Sequence, residues 1–153
     1  MRDDEILAAL EAEIVSVLTS PEIESVGIPG VLPATSAESL VFREVMGQLP
    51  AIGVIDVDVS VKQLFGIGIK RKHVTVTWEL ALAARDESGT PEAAAVVRRL
   101  LGECNKRLDH HKSAVDGVSS RYVFDGFARP DHPRPDLALG TARFHIDVMF
   151  GNE

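Results

Sequence analysis

Cysteine is almost missing. The 153-residue chain has one, Cys104, so no internal disulfide can form. This fits a reducing compartment and excludes a disulfide-stapled scaffold. Long apolar runs are missing too. None approaches the ~20 residues that a membrane-spanning helix needs, so the chain reads as soluble, with no membrane partner. The start, MRDDEILAAL, is acidic at once and lacks the charged, then apolar, then small-residue order of a secretory signal. Basic residues are scarce in the first third. Residues 1–50 hold nine acids and two bases, whereas the remainder holds 14 of each, so the net charge of −7 sits almost wholly at the N-terminal end. Such a chain is not built to grip nucleic acid, which requires clustered Lys and Arg. The acidic segment is either a solvated helix face or a surface that repels nucleic acid or meets a basic partner.

Several signatures of chemistry are also absent. KQLFGIGIKRKH, Lys62 to His73, sets two glycines against a run of cations. Only Gly66 and Gly68 have dinucleotide-fingerprint spacing, and a strand pattern follows where that motif needs a helix. There is no H-E-x-x-H and no Cys pair. Asp109-His110-His111 and Asp131-His132 could supply metal ligands, but polar loops carry such residues by default. His145 and Asp147, two apart on a strand pattern, could join Asp56 and Asp58 on an exposed sheet face, although any half-solvated strand produces such pairs. Cys104 falls on the apolar face of a helix with no evident partner histidine, which suits a core residue better than a nucleophile. No catalytic residue, metal or cofactor is expected.

The patterning that is present is clear. Ile6, Leu7, Leu10, Ile14, Val17 and Leu18 have helical spacing, which predicts a helix over 3–18, with Asp3, Asp4 and Glu5 at its positive end. Residues 21–38 read as an irregular connection with room for a short strand, and 39–46 as a strand. Ile55, Val57, Val59 and Val61 alternate with Asp56, Asp58, Ser60 and Lys62, predicting a half-buried strand with the first set inward. Val74, Val76, Trp78, Leu80 and Leu82 repeat the pattern, so the two runs form an antiparallel hairpin with a long tip. Thr90-Pro91 starts a second helix that runs to about Leu108. Residues 119–127 read as a short strand, the proline-rich ARPDHPRPDLALG as an exposed loop, and 141–150 as a closing strand. The expectation is one domain, 1–153, of α+β class: a mostly antiparallel sheet with a long hairpin, packed by two main helices.

The tip would leave Leu64, Phe65, Ile67 and Ile69 in water beside Lys70, Arg71 and Lys72. Monomers seldom expose such patches. Either the tip folds back on its own core, or it docks on an acidic patch of another subunit. The chain supplies such a patch in its first 50 residues, which points to head-to-tail contacts.

An N-terminal helix, the entry Leu49-Pro50-Ala51-Ile52-Gly53-Val54, the Trp-bearing strand VTVTWELALAAR, the helix ending in LLGECNKRL and the final strand ARFHIDVMF follow in that order. This layout, over roughly residues 3–150, resembles the tail terminator (tail completion) proteins of tailed bacteriophages, especially the Mu-like contractile-tailed group and related injection machines. The resemblance implies a virion structural protein at the top of the tail, assembled in the host cytoplasm, with no catalytic residues and no cofactor. It implies a homo-oligomeric, hexameric ring that ends the tail tube, meets the tail sheath protein, and faces the neck or head–tail connector. Double-stranded DNA would pass through its lumen. Glu11, Glu13, Glu22 and Glu24 are the expected acidic lining, since like charge keeps phosphate from sticking. A neck or head–tail joining protein is the neighbouring alternative. A small metal-dependent or hydrolytic enzyme using the His/Asp cluster is the distant one.

Overall fold

A computed structural model describes residues 2–19, 31–34, 50–64, 71–85, 90–134 and 136–151. Two helices, α1 (Asp3–Leu18) and α2 (Thr90–Leu108), pack on one face of a sheet built from β1 (Val31–Pro33), β2 (Ala51–Leu64), β3 (Lys72–Arg85), β4 (Val123–Arg134) and β5 (Leu137–Phe150). The strand order is β1-β2-β3-β5-β4, and only the short β1–β2 pair is parallel. The class is α+β, as the patterning predicts, and the β2–β3 hairpin is antiparallel. The expected strand at 39–46 lies outside the described residues, as do Phe65, Ile67, Ile69 and Lys70 of the tip and Glu22 and Glu24.

Both helices keep their predicted spans. In α1 the buried residues are Ile6, Leu10, Ile14 and Leu18, one per turn. Each contributes about 1.5–3 kcal/mol of apolar burial. At its start the Asp3 carboxylate accepts the Gly151 backbone N–H at 3.0 Å, which ties the end of β5 to the helix N-terminus. In α2, Ala93, Val97, Leu100, Cys104 and Leu108 face the sheet. The Cys104 thiol is pushed up to about 12, first by burial and then by the charge of Glu103, so it stays protonated in the core. Gly140 of β5 lies directly under α2. A Cβ there would stand 2.7 Å from Val97 Cγ1, so the helix approaches this closely only over hydrogen.

The helix-facing side of the sheet carries an aromatic row. Trp78 of β3 pairs with Phe144 of β5, which pairs with Phe124 of β4. The Phe124 and Phe144 rings lie 5.3 Å apart and tilted by 54°, a favourable geometry for their quadrupoles. A smaller buried cluster of Ala51, Ala81, Ala83 and Leu137 occupies the opposite face.

Two expectations are corrected here. The first concerns β2. Its register shifts between Asp56 and Asp58, so Val57 has no partner on β3. A bulge of one residue moves every later side chain to the other face. Ile52 and Val54 therefore enter the main core, while Ile55 packs on the cluster of the opposite face. Val59 and Val61 fall opposite Val76 and Val74 on the helix side, yet they are 41% and 56% exposed, not inward. Asp56 and Asp58 are split between the two faces. The second concerns ARPDHPRPDLALG, expected as a loop, which is strand over 128–134 and again over 137–140. β4 is an edge strand, and its paired residues, Ala128, Asp131 and Arg134, skip both Pro130 and Pro133 through two register shifts. An edge with irregular pairing tolerates residues that cannot donate a ladder hydrogen bond.

Candidate assembly interface

The His/Asp cluster that the strand patterns allow does not form as one unit. His145 Nδ1 lies 2.6 Å from Asp125 of β4, while Asp147 is bound by Lys62 Nζ at 3.0 Å and by the Thr75 hydroxyl at 2.7 Å. Glu79 and Arg143 make a further cross-strand pair at 3.3 Å. Asp56 faces the other side. These are ladder pairs on a solvated sheet face. Among the described residues, no three His, Cys, Asp or Glu side chains are grouped to hold a metal ion. His111 stacks near Tyr122, and the side chain of His132 lies outside the description.

Burial alone would raise the Asp147 carboxyl, but the Thr75 and Lys62 hydrogen bonds, with the charges of Lys62 and His73, outweigh it and hold it below the usual range. A carboxyl whose folded value is depressed adds stability above its unfolded value, near pH 4, and loses it as pH falls through the folded value. Asp147→Asn is expected to cost about 1 kcal/mol at pH 7. Denaturant melts across pH should show this deficit shrinking below about pH 4. A deficit independent of pH would mean that the ion pair contributes nothing.

Glu13 is half-buried and tied to the rest of the molecule. Its carboxylate accepts the Tyr122 hydroxyl at 2.8 Å and the Ala114 backbone N–H at 2.7 Å. It thereby clamps α1 to the connection between α2 and β4. Tyr122 is fully buried, and burial first, then Glu13, drives its hydroxyl pKa far up. That connection is stitched by backbone bonds from His110 to Tyr122 and from Ser113 to Ser120, and it leaves α2 through a left-handed His110, φ 64°. The Asp109 carboxylate accepts the Phe124 N–H at 2.9 Å, which sets the start of β4.

Glu11 differs from Glu13. It is half-buried beside Asp56, its carboxyl raised by burial and then by the Asp56 charge. No side chain of opposite charge pairs with Glu11, Asp56 or Asp58 among the described residues. Of the predicted tip cations, Arg71 is exposed and Lys72 half-buried, and Leu64 is 68% exposed.

The most informative pattern goes beyond the exposed Leu64 that the sequence leads one to expect. Among the described residues, the exposed large apolar side chains are Val59, Val61 and Leu64 on β2, and Val123 and Phe127 on β4. They lie on strands at opposite sides of the sheet. β1 covers only Ile52–Val54, so the outer half of β2 is a free edge among the described residues, and β4 is the other edge. Beside β4, an apolar groove of about 850 Å³ runs under α2, lined by Val97, Leu101, Phe124 and Phe127, with Arg98 at its rim. A 3.6-period count finds the Val97–Leu101–Asn105 stripe, but not that it overhangs an edge strand.

No protein-family model and no curated protein matches the sequence. Solved structures do share the fold. A chain from the virion of a native gene transfer agent particle superposes with a TM-score of 0.63 at 11% identity, covering 94% of this chain and 97% of that one.

Proposed function

We propose that this chain is a structural protein of a phage-type virion, a tail terminator that acts without catalysis. The observation that carries this reading is the fold likeness, nearly end to end in both chains, to a component of a gene transfer agent virion. The order of elements set out above and the apolar side chains left on both sheet edges support it. In this reading the protein forms a hexameric ring at the top of the tail. It ends the tail tube, contacts the sheath protein, and presents its other face to the neck connector. The hairpin end, Leu64, Phe65, Ile67 and Ile69 with Lys70, Arg71 and Lys72, serves as a docking element in that assembly. DNA crosses the lumen in transit, and the net charge of −7 opposes its adhesion. A neck protein would share ring form and fold, and binding to the growing end of tail tubes distinguishes the terminator. The mass of the purified chain in solution tests the ring itself: a closed ring supports the reading, and a stable monomer removes it.

A further inference from the structure

We infer that the ring is built by one head-to-tail contact, in which the α1/β2 edge of one protomer, with Glu11, Asp56, Val59 and Val61, seats on the α2/β4 edge of a second copy at Arg98 and Phe127. The inference rests on the ring reading above and names its contact surfaces. It assigns Glu11 to a subunit interface, not to the lumen.

Three observations carry it. First, the exposed apolar side chains are divided between two edges that cannot meet within one chain. β2 and β4 are separated by β3 and β5, about 14 Å at ordinary strand spacing. Pairing like edges in a two-fold dimer would cover one and leave the other wet. Pairing unlike edges covers both and propagates, closing when the rotation permits. Second, the two edges differ in charge. Glu11 and Asp56 crowd each other at the β2 edge without a cation among the described residues. At the other edge Arg98 is exposed on the groove rim, and the exposed Lys106 follows two turns along α2. Opposite charge across an interface sets register and rejects wrong pairings. Third, one edge offers exposed apolar side chains, Val59, Val61 and Leu64, and the other offers an apolar groove of about 850 Å³ able to receive them.

Native mass spectrometry on the full chain tests the contact, at matched protomer concentration, with Arg98→Glu and Glu11→Arg made singly and together. Each single reversal is expected to weaken assembly about tenfold or more, and the double reversal to recover it. Far-ultraviolet circular dichroism verifies that each variant folds. If either does not, Lys106→Glu and Asp56→Lys replace it in the same scheme. A wild-type ring that tolerates the single reversals, or a double reversal no better than the singles, overturns the inference and leaves the ring reading standing. So does a ring unaffected by Arg98→Glu that binds tail-tube subunits only when Arg98 is present, since the groove would then belong to the tube. A wild-type chain that remains monomeric overturns both.

Discussion

Trp78→Ala is expected to lower the unfolding free energy by about 3–5 kcal/mol, the usual range for deleting a buried aromatic side chain. Trp78 is 1% exposed in the middle of β3, in the row that continues through Phe144 to Phe124. Strands flank it on both sides, so the sheet cannot close over the cavity without breaking the ladders to β2 and β5. Trp78→Phe should cost far less, under about 1.5 kcal/mol. The indole Nε1–H has no acceptor among the described residues, so its removal also relieves a buried unpaired donor, worth about 1–3 kcal/mol. Chemical denaturation of both variants checks the pair. A Phe variant as damaged as the Ala variant would mean that the indole nitrogen has a partner.

Replacing Val59 and Val61 together by aspartate is expected to do the opposite: spare the fold and dissolve the assembly. Both side chains are substantially exposed, and surface substitutions away from special features usually change stability by less than about 0.5 kcal/mol each. In the proposed ring these valines would be buried against a neighbour. Two unpaired carboxylates placed there should cost about 2–4 kcal/mol per contact, on the scale of interface hot spots. Light scattering should show monomers at concentrations where the wild type is assembled, with thermal melts nearly superimposed. A large loss of monomer stability, with no change in assembly, would mean that the hairpin packs on its own core.

Much of the architecture is legible in the residues. The i, i+4 spacing of Ile6, Leu10, Ile14 and Leu18 and the Thr90-Pro91 start mark both helices, because helix periodicity is a local property. The alternation from Val74 to Leu82 and from Ala142 to Phe150 marks β3 and β5, which have neighbours on both sides and regular pairing. What local pattern misses is register. Ile-Asp-Val-Asp-Val-Ser-Val, residues 55–61, alternates cleanly whether or not Val57 bulges, so the change of face is decided by pairing with β3. Prolines at 130 and 133 argue against a central strand, but β4 is an edge, where the same residues are allowed. The proposed docking surfaces are hidden for the same reason. Val59 and Phe127 are ordinary strand residues until the topology places them on opposite rims. Glu13 resembles Glu11 in sequence, and only the fold turns one inward to Tyr122 and leaves the other beside Asp56.

The central claim is that this chain closes into a ring. Light scattering on the purified full-length chain, with negative-stain images of the same sample, tests it most directly. The account predicts closed rings of about six copies of the 16.6 kDa chain, roughly 100 kDa in all. A monodisperse 16.6 kDa monomer at high concentration, with no rings in the images, would contradict it.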